Sequence, residues 1–179
     1  MFLEMDGIRV CHAWWKPESI EVIRAGTNRD GIMDEEFLRT SFTKRTASWR
    51  ALEDVTKGYE VNLGNGSSFL DHNGNPRKEI RVRWWDESAT TYRAAALVPE
   101  EERLRIPDET LPYSVSLGEA GTIPTFVGHY WLTGTPGVQN PTTAVLDYGA
   151  GKAGPLVAYR WDGEPVLNDD NLGWVRPGE

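Results

Sequence analysis

Residues 125–137 read TFVGHYWLTGTPG, and the reading of this stretch decides how the chain is built. An apolar run, Thr125 to Val127, stops at Gly128; His129 follows at once, and Gly134, Pro136 and Gly137 make the continuation a loop. A short apolar run bounded by glycine and proline suits a buried strand of a sheet stack. His129 therefore stands at a strand end, where open sheets collect their ligands. Taken alone, the commoner role of such a histidine is structural and hydrogen-bonded.

Working outward, the same geometry recurs at the start of the chain. The run FLEM, the turn pair Asp6-Gly7 and the run IRVCHA read as a β-hairpin, with Ile8, Val10 and His12 on one face and Arg9 and Cys11 on the other. His12 thus ends a second apolar strand, before Pro17 opens a short helix that Gly26 stops. Neutral imidazole is the commonest nitrogen ligand of transition metals. Two histidines this far apart in sequence can share a metal only if the fold brings the two strand ends together, and spacing alone leaves two unrelated histidines equally open.

Between these strands the periodicity is first helical. Asp34 is placed to cap a helix with Phe37, Leu38 and Phe42 on one face; Trp49, Leu52, Val55 and Thr56 continue such a face until Gly58. From Tyr59 onward the period becomes two. SSFLDHNGNPRKEIRVRWW reads as strand, turn, strand, with Ile80, Val82 and Trp84 on one face and Arg81, Arg83 and Trp85 on the other. Arg81 and Arg83 share a face and could grip a phosphate bidentately, although a solvated face with cross-strand partners explains them as well. His72 lies in the polar turn and reads as solvated. YRAAALV suits strand or helix, and the acidic, proline-punctuated run to about residue 122 reads as a surface connection. TAVLDYG, LVAYRW and EPVL read as further strands, and residues 168–179 as a loosely held tail. Asp147, closing AVLD, suits turn capping first and orientation of a ligand histidine second.

Composition narrows the function classes. The chain has 179 residues, the size of a single domain, and no apolar run long enough to span a bilayer. Its formal charge of -8 argues against polynucleotide, whose binding rests on neutralising phosphates. Small phosphorylated ligands stay open, because a local metal or arginine reverses the field in a cleft. The first residues lack the basic start and apolar stretch of a signal or transit peptide, and the lone Cys11 suits a reducing compartment, so a cytoplasmic location is expected. Cys11 reads as a small buried apolar residue. Most of the eight tryptophans fall within apolar patterns and read as core, which weakens a sugar-stacking interpretation.

The ordered string LEMDGIRVCHAWW, RALEDVTKGYEV, SFLDHNGNPRKEIRVRWW, TFVGHYWLTGTPG and AVLDYGAGKAGPLVAYRWDGE resembles the C-terminal half of calcineurin-like metallophosphoesterases, the relatives of serine/threonine protein phosphatases and diadenosine tetraphosphatases. The resemblance implies an α+β fold, mostly β after residue 59: the C-terminal half of a metallophosphoesterase β-sandwich flanked by helices. It further implies a centre of two divalent metal ions (Mn, Fe or Zn), hydrolysis of phosphate esters by in-line attack of a metal-activated water, and a phosphorylated substrate that is a small molecule, a dinucleotide or a phosphoprotein. By position His12 and His129 would bind the same metal, and Gly128 would leave room for close approach.

The family's first half carries Asp-x-His, Gly-Asp and Asn-His segments that supply the other metal, the bridging carboxylate and the histidine assisting the leaving group. None occurs here. A catalytic metal takes about three protein ligands plus water, and this chain contributes two imidazoles. The expectation is a partial domain, arising from an internal start, a split gene or a truncated copy, that hydrolyses little without a complementary N-terminal half. Two alternatives stand beside it: a non-catalytic β-rich binding module using exposed Trp and Arg, and a degenerate phosphatase remnant. A lone sheet of a sandwich would also expose its inner face and self-associate.

Overall fold

Asp6 and Gly7 close the first hairpin because Gly7 adopts φ 88°, open to a residue without Cβ, and a Cβ there would also come within 2.9 Å of the Trp161 ring. The hairpin pairs β1 (Phe2–Met5) with β2 (Ile8–Cys11). In this computed structural model, residues 1–64, 66–112 and 122–178 are described. Pro17 then opens α1 (Pro17–Ala25), capped at its far end by Gly26. The Asp34 carboxylate accepts from the Phe37 backbone N–H and starts α2 (Glu35–Ser41). The helix α3 (Ala47–Lys57) ends where the sequence places its glycine. Next come β3 (Glu60–Asn62), β4 (Phe69–Leu70), β5 (Pro76–Arg77), β6 (Glu79–Val82), the single turn α4 (Tyr92–Ala95) and β7 (Ala96–Leu97). The chain closes with β8 (Thr125–Val127), β9 (Thr143–Val145), β10 (Leu156–Tyr159) and β11 (Leu172–Val175).

These elements form two compact units, one of Met1–Lys57 with Gly121–Glu179 and one of Gly58–Ala120. The first is built on a four-stranded sheet ordered β1-β2-β8-β9, in which β2, β8 and β9 run parallel and β1 runs antiparallel. Its register aligns Val10, Phe126 and Ala144 on one face and Cys11, Val127 and Val145 on the other. On the first face Ile8, Phe126 and Ala144 pack with Leu167, Tyr159 and Trp161, so the end of β10 and the connection from β10 to β11 cover that side. Phe126 and Tyr159 meet with ring centres 5.1 Å apart.

The opposite face is buried too: Cys11, Val127 and Val145 are 5%, 3% and 1% exposed. On that side α1 reaches the β1 edge, where Arg24 pairs with Glu4 and lies over the Phe2 ring. A sheet covered on both faces explains why its inner strands β8 and β9 are buried at every residue and do not alternate. The uncovered inner face expected of a lone sheet is therefore not what this unit shows. Burial also pushes the Cys11 thiol up to about 12. Iodoacetamide at pH 8 is expected to label the native protein more than about a hundredfold slower than the urea-unfolded chain; comparable rates would contradict this placement.

The second unit holds a three-stranded antiparallel sheet, β3-β6-β7, and the small β4–β5 hairpin. Its core gathers Val61, Ile80, Val82, Ala95, Ala96 and Ile106. The turn between β4 and β5 is held by Asp71: its carboxylate accepts from the Asn75 and Asn73 backbone N–H groups and pairs with Arg77, which holds it at about 2, below the usual carboxylate range.

Several sequence expectations need correction. The α+β class stands, but the hairpin pairs in parallel with β8, a long-range pairing that spacing does not reveal. Of the apolar stripe expected on α2 only Phe37 is buried; Leu38 and Phe42 are 41% and 86% exposed. The buried stripe of α3 is Ser48, Ala51, Asp54 and Val55, one step round from the apolar stripe, because Asp54 accepts from Lys16 Nζ (3.0 Å) and Ser19 Oγ (2.7 Å). YRAAALV is helix and then strand, as α4 and β7. EPVL forms no strand; the partner of β10 comes from the expected loose tail, where Leu172–Val175 forms β11. The part of the acidic connection at 113–121 lies outside the described residues.

Candidate functional site

Parallel pairing of β2 with β8 sets the two strands level, Cys11 opposite Val127, so the residues that follow them leave the sheet side by side. His12 follows β2 and His129 comes after β8 and Gly128. Their ring centres lie 5.0 Å apart with an interplanar angle of 62°. The exit of β9 adjoins them: a Cβ built on Gly128 would lie 3.6 Å from the His12 carbonyl oxygen and 3.9 Å from Asp147 Cβ. Those are ordinary van der Waals contacts.

The loop carrying His129 is tied down on both sides. Gly128 N–H donates to the His12 carbonyl (2.9 Å), and Leu132 N–H donates to the Asp147 carbonyl (2.8 Å). Tyr130, 6% exposed, donates its hydroxyl to the Ala13 carbonyl at 3.0 Å across 117 residues of sequence. His129 and Trp131 hold positive φ, 70° and 47°. Non-glycine residues resist that conformation, and it persists where the surroundings over-determine it. Tyr130 is the residue that sequence reasoning passed over: its burial was not visible in HYW, and its partner lies on another strand exit.

Two imidazoles on one ion constrain their own spacing. Metal–nitrogen bonds of about 2.1 Å meeting at roughly 90–110° hold two ring centres about 4.6–5.3 Å apart. The observed separation lies within that range. It also suits edge-to-face packing of two rings. Among the described residues no group of three or more His, Cys, Asp or Glu side chains is arranged to hold a metal ion. The Asp147 carboxylate accepts from Gly149 N–H at 3.0 Å and caps the turn after β9.

The remaining candidates belong to the second unit. His72 is exposed in the β4–β5 turn. Arg81 and Arg83 belong to the second unit; Arg81 lies 3.5 Å from its cross-strand partner Glu60, and Arg83 lies 4.0 Å from Asp86. Burial, with Arg103 nearby, lowers the Arg83 pKa from its ordinary value. No helix among the described residues is long and apolar enough to cross a membrane. Searches against protein-family models, curated proteins and solved structures find no match to this chain.

Proposed function

We propose that His12 and His129 are two ligands of one divalent metal ion (Mn, Fe or Zn) in a phosphoesterase centre. The remaining ligands, the second metal included, would come from a complementary N-terminal half. The observation that carries the proposal is the approach of the two rings to 5.0 Å at neighbouring exits of parallel strands. The resemblance of the ordered segments to calcineurin-like phosphoesterases supplies the reaction class. A bound ion would polarise a phosphoryl oxygen and acidify a water.

The chain's own contribution is placement. Both ligands are neutral, so they leave the ion's charge undiminished for an anionic ester. Tyr130 and the bonds from Gly128 and Leu132 hold the His129 loop against the exits of β2 and β9, so little reorganisation accompanies binding. Phosphate capture by Arg81 would have to displace its pairing with Glu60. A cytoplasmic site of action suits the single buried thiol.

Calorimetric titration of Mn or Zn into the whole chain is expected to show one ion bound, micromolar or weaker. His12→Ala and His129→Ala should each weaken it by at least about tenfold, and His72→Ala should not. The chain alone should leave phosphate esters intact, and adding a polypeptide with the Asp-x-His, Gly-Asp and Asn-His segments should restore turnover. Unchanged metal affinity in both histidine variants would refute the ligand assignment, and substantial turnover by the chain alone would refute the division of the centre. The absence of a three-residue ligand group among the described residues favours one rival, a non-catalytic binding module. Binding of a phosphorylated ligand in EDTA, with no metal effect, would support that rival.

A further inference from the structure

The loop after His129 and the loop after β9 meet a second time at Trp131 and Lys152. Trp131, 44% exposed, receives the Lys152 ammonium at 4.0 Å from its ring centre. Four of the eight tryptophans do the opposite, since Trp14, Trp15, Trp84 and Trp85 are all below 9%, and Trp174 is the other exposed one at 43%. Lys152 is exposed, and no described carboxylate forms an ion pair with it although the chain is strongly acidic. It stands on a single 3-10 turn, Ala150–Lys152, bounded by Gly149 at φ 72° and Ala153 at φ 65°.

Position relative to the histidine pair follows from chain geometry. Trp131 is two residues beyond His129, so their Cα atoms are at most about 7.6 Å apart. Two of the described non-glycine residues with positive φ, His129 and Trp131, flank Tyr130, whose hydroxyl is anchored to Ala13. The indole is therefore presented outward by a loop fixed at both ends. The Lys152 ammonium lies over one face of the indole and leaves the other for stacking, and an ammonium on a flexible stem with no carboxylate partner can leave the ring to meet an anion.

We infer that Trp131 and Lys152 form a subsite for phosphate esters whose organic group is a planar aromatic ring, the ring stacking on Trp131 and the phosphate meeting Lys152. Naming this substrate class rests on the phosphoesterase reading above, while binding itself needs only these two side chains. Aryl phosphates and nucleotides share the required chemistry.

The test is equilibrium binding to the whole chain, in EDTA and again with Mn, followed by NMR of the Trp131 indole resonance, which Trp131→Phe identifies by its loss. The ligands are phenyl phosphate, adenosine 5′-monophosphate, cyclohexyl phosphate and inorganic phosphate. Phenyl phosphate, adenosine monophosphate or both should bind at least roughly fivefold more tightly than cyclohexyl phosphate, and which of the two binds better separates an aryl from a nucleotide source. Trp131→Ala should remove that preference without changing inorganic phosphate binding, and Trp131→Phe should retain most of it. Lys152→Ala should weaken every phosphate. Failure of both aromatic esters to bind more tightly than cyclohexyl phosphate, no binding of either aromatic ester, or indifference to both alanine variants overturns the inference. Because the EDTA arm is independent of His12 and His129, loss of metal binding in those variants and loss of ring preference in these report on separate assignments.

Discussion

Gly154→Ala is expected to destabilise the first unit by about 3 kcal/mol, with a fall in Tm of roughly 6–12 °C. A Cβ at this position would lie 1.8 Å from the Tyr148 carbonyl oxygen and 2.9 Å from its carbon, both backbone atoms that no side-chain rotation can move. The chain doubles back here: Gly154 N–H donates to the Gly149 carbonyl at 3.0 Å, closing the turn between β9 and β10. Relieving the overlap must push the β10 end of the turn away, loosening the Tyr159 and Phe126 contact that covers the sheet. Gly151→Ala is the matched control, because nothing lies within 4 Å of a Cβ there, and it should change stability by no more than about 0.5 kcal/mol. Urea unfolding of the two variants decides the matter: equal midpoints would refute a steric cost at position 154.

The second large effect belongs to the other unit. Ile80 is fully buried in β6 and packs in the cluster with Val61, Val82 and Ile106. Ile80→Ala removes apolar atoms and leaves a cavity, which together cost about 2–5 kcal/mol. The upper part of that range is expected, since strands of two to four residues offer few other contacts to hold their place. Leu104→Ala in the same unit, at a site 82% exposed, should cost less than about 0.5 kcal/mol. Amide exchange across 59–97 is the sensitive measurement. Protection there that survives Ile80→Ala at the level of Leu104→Ala would show that the core does not depend on β6.

Local chemistry made much of this molecule legible. Asp6-Gly7, Pro17, Gly26, Asp34 and the DHNGNP turn each act on neighbours within a few residues, and each is found in the role its chemistry suggests. The errors cluster where burial is decided from a distance. Phe42 is apolar yet 86% exposed, while Asp54 is charged yet 7% exposed, because Lys16 and Ser19 are brought to it from 38 and 35 residues away. Leu172–Val175 reads as tail because its strand character comes from pairing with β10 and not from its own pattern.

For the candidate site the division is equally physical. The sequence alone determined that His12 and His129 each end an apolar strand and that glycine and proline release the chain directly afterwards, since strand and turn preferences act over a few residues. Only the tertiary structure decided that β2 lies parallel to β8 and that the two rings stand 5.0 Å apart with Tyr130 bracing them. Backbone hydrogen bonds between strands are blind to side-chain identity. Which strands become neighbours is therefore settled by how the whole chain buries its apolar faces.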